Sequence, residues 1–116
     1  MSGRVIVVFA KRPAPGAVKT RMCPPLAPDQ AAALYAAMLD DVLATTASAA
    51  AAARAETWIA VHPARAVGEL IARCPPGFHG LPQRGADLAE RMEVAVASAA
   101  AAGFDRILLR GSDNPA

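Results

Sequence analysis

No acidic residue precedes Asp29, aromatic residues make up only 4% of the chain, and cysteine and histidine occur twice each. Each shortage excludes something. With one Trp, one Tyr and three Phe, the core must be built from Val, Leu, Ile and alanine. A nucleic-acid surface is not expected either, since that function wants an extended basic face with stacking aromatics. Cys23 and Cys74 each open a Cys-Pro-Pro stretch, far apart, with neither CxxC spacing nor a histidine at ligand spacing. They read as buried or incidental thiols rather than a zinc or disulfide framework. His62 and His79 have no ligand-spaced partners and read as structural or surface residues. Long apolar runs are absent too. The segment Val5 to Ala10 is too short for a signal-peptide core and is ended by Lys11-Arg12, and nothing approaches the roughly 20 residues of a membrane span. The expected location is cytoplasmic, without membrane partners.

What the chain does have is a concentration of positive charge at one place. Of a net +2 over 116 residues, Arg4, Lys11, Arg12, Lys19 and Arg21 all precede the first acid, so the remainder is net acidic. The basic character is therefore local. The β-branched run Val5 to Phe9 reads as a strand buried on both faces, as at the centre of a parallel sheet. It runs into a loop, Lys11 to Arg21, in which Pro13, Pro15 and Gly16 restrict the path. Loops at the carboxyl ends of such strands are where open α/β folds bind ligands. Lys11, Arg12, Lys19 and Arg21 would converge on a phosphorylated substrate there.

The rest of the chain alternates strand and helix. Pro28-Asp29-Gln30 opens an alanine-rich helix with Leu34, Met38, Leu39, Val42 and Leu43 on one face, extending through Ala53, with Asp29 placed to cap it. Thr57 to His62 reads as a second strand, 64–73 as a short helix ended by Cys74-Pro75-Pro76-Gly77, and Phe78 to Pro82 as a weak third strand. A helix follows from the Gln83 to Met92 segment to Ala102, and Arg106 to Arg110 is a fourth strand. This β-α-β-α-β-α-β order predicts one domain over 1–116, a three-layer α/β/α sandwich of Rossmann-like type with a mainly parallel sheet. The fourth strand ends at a site-like loop with nothing after it to cover the sheet. The expectation is an incomplete sandwich, the amino-terminal part of a larger domain; the alternative is a four-stranded domain whose open face is a homo-oligomer interface.

Three groups of residues could carry chemistry. In the Lys11 to Arg21 loop, clustered Lys and Arg and the backbone donors of a Gly turn suit phosphate oxygens. The Gly-Lys-Ser/Thr adjacency of a P-loop is missing, and the bland alternative is a solvated basic connection. In Gln83-Arg84-Gly85-Ala86-Asp87-Leu88, with Glu90, Arg91 and Met92, a Gly turn at a helix start exposes donors to an anion or a base edge. Asp87 could equally cap the helix, or pair with Arg91 four residues on. In Gly111-Ser112-Asp113-Asn114-Pro115, Asp113 is placed to hold Mg²⁺ or Mn²⁺, which take few carboxylates and complete their shell with phosphate and water. An Asx-turn before Pro115 is the ordinary reading.

Taken in order, Phe9 to Met22, Gln83 to Met92 and Leu108 to Pro115 make the whole chain resemble a bacterial family of glycosyltransferase-A-like proteins of the nucleotide-diphospho-sugar transferase superfamily. Its relatives include the guanylyltransferases of deazaflavin and molybdenum cofactor synthesis. The resemblance implies a Rossmann-like sandwich that binds a nucleotide sugar or nucleoside triphosphate at the carboxyl edge of the sheet. By position, Lys11, Lys19 and Arg21 would contact phosphates, Gly16 would let the loop approach them, and Arg12 lies in the same basic loop. Gln83, Gly85, Asp87, Leu88 and Arg91 would lie near the nucleoside, and Asp113 matches the metal-binding aspartate of a Gly-x-Asp-x-Pro segment. Arg110 departs from the family pattern, which has a small or apolar residue there.

The expected function is a metal-dependent transferase using a nucleotide-activated donor, a glycosyltransferase, with Lys19 and Arg21 offsetting charge on the leaving phosphate. Two rivals stand beside it. One is nucleotidyl transfer to a phosphorylated small molecule; the other, of a different class, is a non-catalytic binding or scaffold module.

Overall fold

The β-branched run beginning at Val5 forms strand β1, Arg4–Lys11, in a computed structural model that describes residues 3–18 and 23–112. Helix α1, Pro28–Ala53, leads to β2, Glu56–His62. A 3₁₀ turn, Ala64–Ala66, runs directly into α2, Val67–Arg73, and then β3, Phe78–Pro82. Helix α3, Leu88–Ala101, leads to β4, Arg106–Gly111. These elements follow the hydrophobic periodicity of the sequence closely, because strand and helix burial each repeat over a few residues.

All four strands are parallel, in the order β3-β2-β1-β4. The chain builds outward from β1 through β2 to β3, then crosses back over the sheet to place β4 on the other side of β1. β1 is therefore central, and Val5, Val7 and Val8 are at most 1% exposed. One face of β1 and β2 contributes Val8, Ala10, Ile59 and Val61 to a core with Tyr35, Leu39, Val42 and Leu43 of α1 and Leu70 of α2. The other face packs Val5, Val7, Trp58 and Ala60 against Ala99 of α3, with Phe104, Ile107 and Leu109 at its margin. With helices on both faces of the parallel sheet, the fold is α/β of Rossmann-like type. Each fully buried Leu, Ile or Val stabilises by roughly 1.5–3 kcal/mol. The α1 side holds more such side chains; the α3 side relies on Trp58, whose ring meets Phe104 edge-on at 5.5 Å and His79 at 5.2 Å.

Two local expectations change. Asp29 does not cap α1: the N-cap is Ala27, Pro28 occupies the first helical position, and the Gln30 side chain accepts from the Ala27 amide at 2.9 Å. Proline with its fixed φ defines the start one residue earlier than the acid, which leaves Asp29 in the first turn, where its charge still suits the helix dipole. Arg110, the departure from the family pattern, lies beside Val8 in the ladder and reaches Thr46 Oγ1 of α1 at 3.3 Å. It thereby supplies a partner to a threonine that is 1% exposed.

At the third strand a glycine is required by contact. A Cβ on Gly80 would come within 2.7 Å of Ile71 Cγ1 and 2.9 Å of Val67 Cγ1, both on α2. Gly80→Ala must push α2 off the sheet, an overpacking cost of about 1–2 kcal/mol. A urea melt that leaves the stability of Gly80→Ala equal to wild type would contradict this close approach.

No helix among the described residues is long and apolar enough to cross a membrane.

Candidate functional site at the carboxyl edge of the sheet

The chain reverses its direction of sheet growth between β1 and β4, and a crevice at the carboxyl ends of such a strand pair is the usual ligand position in open α/β sheets. A hydrogen-bonded chain crosses this point. The Lys11 amide donates to Tyr35 Oη at 2.9 Å, and the same hydroxyl lies 2.6 Å from Ser112 Oγ. Tyr35 and Ser112 are 3% and 5% exposed. One α1 side chain thus links the start of the basic loop to the residue immediately before Asp113. The apolar face read from the sequence, Leu34, Met38, Leu39, Val42 and Leu43, does not include Tyr35, and its role is visible only with β4 beside β1.

Of the basic loop, Lys11 ends β1 and Arg12 follows it, the Arg12 amide donating to the His62 carbonyl at 3.0 Å. The Arg12 guanidinium also meets Glu69 of α2, Nε to Oε2 at 2.7 Å, with both side chains about half exposed. A pair so exposed contributes little to stability but fixes where Arg12 points. Gly16 takes φ 79° in a turn closed by Ala17 N to Ala14 O at 3.0 Å. Val18 is 4% exposed and belongs to the α1-side core, anchoring the loop just before Lys19. Lys19, Arg21 and Asp113 lie outside the described residues.

The second group gathers at the ends of β2 and β3. Gln83 donates through its backbone amide to the Val61 carbonyl, and through Nε2 to the Ala10 and Ala60 carbonyls at 3.1 and 2.9 Å. Both side-chain donors are used on carbonyls of β1 and β2, which sets the orientation of the amide and leaves its oxygen as the remaining acceptor. Asp87 is the N-cap of α3, accepting from the Glu90 amide at 2.8 Å. The alternative pairing with Arg91 does not occur: Arg91 Nε donates to the Gly85 carbonyl at 3.1 Å instead. Capping wins because the helix amide is a fixed, adjacent donor. Leu88, 60% exposed, opens the helix.

Between the ends of β1 and β2 lies a cavity of ≈470 Å³ bounded by Lys11, Arg12, Ala14, Ala17, His62, Pro63 and Arg65. His62, read from sequence as structural or surface, belongs to this site. Desolvation, then the charges of Arg91, Lys11 and Arg65, hold its pKa below the ordinary histidine value. The available signal was its position: it ends a parallel strand one residue before a proline, with Arg65 two residues further on. Among the described residues no group of three or more His, Cys, Asp or Glu converges as a metal cage. Both cysteines are free. Burial, with a smaller contribution from Asp40, pushes the Cys74 thiol up to about 11, which removes it as a nucleophile near neutral pH.

No curated protein matches the chain. A crystal structure described as that of a "putative nucleotide-diphospho-sugar transferase" from Desulfovibrio desulfuricans G20 is similar, with 37% identity and a TM-score of 0.84 over 99% of this chain and 49% of that one. The chain therefore spans about half the length of that protein. A family model described as "Uncharacterized protein conserved in bacteria (DUF2064)" matches residues 44–116, from within α1 through β4 and on past Asp113. With more than half of its length carrying that pattern, the chain belongs to the DUF2064 family of bacterial proteins.

Proposed function

We propose that this chain carries the nucleotide-binding part of a metal-dependent transferase that uses a nucleotide-activated donor, with glycosyl transfer as the reaction. The observation that carries this reading is the likeness, over nearly all of this chain, to the Desulfovibrio protein described in those terms. The site geometry supports it. Basic side chains stand at the end of β1, and Tyr35 ties that strand end to Ser112 at the end of β4. Gln83, with its amide set by two strand carbonyls, lies beside the Gly85 turn and the capped start of α3.

In this reading the phosphates meet Lys11, Lys19 and Arg21, and the nucleoside lies toward Gln83, Gly85 and Arg91. Asp113 follows directly on the anchored Ser112, and one hard carboxylate at that point suits Mg²⁺ or Mn²⁺, which take the rest of their shell from phosphate and water. When bound, the metal supplies charge neutralisation at the diphosphate. The protein's own contribution is positioning and electrostatic stabilisation: Lys19 and Arg21 offset the charge that develops on the leaving group.

Isothermal titration with nucleotide sugars and nucleoside triphosphates, with and without Mg²⁺, tests this. The expected result is saturable binding that needs Mg²⁺ and falls about tenfold or more in Lys11→Ala and in Asp113→Asn, as for loss of one charge-assisted contact. No binding to any of these nucleotides overturns the proposal. Product analysis then separates the chemistry: nucleoside diphosphate release supports glycosyl transfer, whereas pyrophosphate release from a triphosphate moves the assignment to nucleotidyl transfer.

A further inference from the structure

The cavity between β1 and β2 has a composition that nucleoside recognition does not account for. Lys11 and His62 are register neighbours at the ends of adjacent parallel strands. Arg65 enters from the 3₁₀ turn that follows β2, and Arg12 from the loop after β1. Glu69 of α2 occupies one side of the Arg12 guanidinium and is, among the described residues, the acidic group paired with this cluster. With Glu69 offsetting one cation, Lys11 and Arg65 remain as two positive charges, and Arg91 of α3 adds its field at His62. The backbone carbonyl of His62 is engaged by Arg12 N at 3.0 Å, which fixes the histidine relative to the basic loop.

We propose that this cavity is a binding site for a doubly charged oxyanion, a phosphate or sulfate group, held by Lys11 and Arg65 with His62 as an N–H donor. The charge balance selects a dianion over a carboxylate, and Lys and Arg together provide both a point charge and a bidentate fork for such an ion. The site requires no nucleotide, so it goes beyond the donor reading above while sharing Lys11 with it. His62 also makes the site proton-linked. Without an anion, Lys11, Arg65 and Arg91 oppose its protonation; a dianion in the cavity reverses that field and favours the imidazolium. Binding therefore takes up a proton, and affinity falls as pH rises through the titration of His62 in the complex.

Sulfate is the probe of choice because it stays doubly charged throughout the range in which histidine titrates. Titration of the full chain with sulfate, without divalent metal, from pH 5.5 to 8.5 is expected to show tighter binding at the acid end. The His62 ring resonances should move their midpoint to higher pH at saturating sulfate. Arg65→Ala, at an exposed position, should weaken binding about tenfold at unchanged melting temperature. His62→Gln, which keeps a side-chain N–H donor but cannot titrate, should bind with no pH dependence. Equal sulfate affinity in wild type and Arg65→Ala, or the same pH dependence in His62→Gln, overturns the proposal.

Parallel titrations with inorganic phosphate and glycerol phosphate name the source. Tighter phosphate means a free ion and tighter glycerol phosphate a group on a larger molecule, and either supports the site. Neither binding, while sulfate also fails, refutes it. A negative Mg²⁺-nucleotide titration would leave the sulfate result standing, so the two readings fail separately.

Discussion

Tyr35→Phe is expected to lower stability by about 2–3 kcal/mol and to weaken Mg²⁺-dependent nucleotide binding about tenfold. The phenyl ring fills the same volume in the α1-side core, so packing is conserved and the loss belongs to the hydroxyl. Among the described residues that hydroxyl meets the Lys11 amide at 2.9 Å and Ser112 Oγ at 2.6 Å. Ser112 is buried, and leaving a buried polar group without its partner costs about 1–3 kcal/mol. The second effect follows from place rather than energy. Tyr35 holds the ends of β1 and β4 together at the point where the chain reverses, and the proposed phosphate and metal groups follow directly on those two ends. Ser112→Ala removes the contact to β4 and keeps the one to the Lys11 amide, and should lose about half as much. Urea melts give the first quantity and isothermal titration the second. A Tyr35→Phe protein with wild-type stability and wild-type nucleotide affinity would mean that this chain does not organise the site.

Gly85→Ala should be the more damaging change, with a loss of about 2–4 kcal/mol and at least a tenfold rise in nucleotide Kd. Gly85 takes φ +142°, a conformation that L side chains rarely adopt, and holding another residue there costs about 1–3 kcal/mol. The new Cβ would also lie 2.9 Å from the backbone nitrogen of Arg91 and 2.9 Å from Glu90 Cγ. Glu90 Cγ can rotate away, but Glu90 Cβ at 3.0 Å and the Arg91 amide are fixed by the first turn of α3 and cannot yield without moving that turn. The displacement would break the Arg91 to Gly85 bond at 3.1 Å and disturb the Asp87 cap, next to the Gln83 amide. Thermal melts and the same titration check it; nucleotide affinity retained in a stably folded Gly85→Ala protein would place the nucleoside elsewhere.

Much of this was legible in the residues alone, and the reasons differ from element to element. The apolar run at Val5 to Phe9 named the central strand because only a strand buried on both faces needs β-branched residues at consecutive positions. Asp87 was readable as a cap because capping is a contact between residues three apart. Asp29 is not the cap although the signal is equally local, since Pro28 sets the helix start by its fixed φ and leaves Ala27 as the N-cap. His62 was not legible as a site residue. Its surroundings come from the ends of β1, the turn after β2 and the start of α3, and no spacing rule links positions so far apart.

By itself the sequence determined the order and kind of the elements, the parallel sheet, and the presence of a cationic loop at a strand end. These depend on side-chain periods of two and about 3.6 and on charge counted along the chain. The tertiary structure alone decided that β4 lies against β1 rather than β3, and with it that Tyr35, which accepts from the Lys11 amide, meets Ser112 across 77 positions. It likewise decided that Glu69 restrains Arg12 and that His62 lies in the field of Arg91, Lys11 and Arg65. Strand neighbours are chosen by burial of whole faces and by where crossover helices can pack, and those conditions are met only once the sheet is assembled.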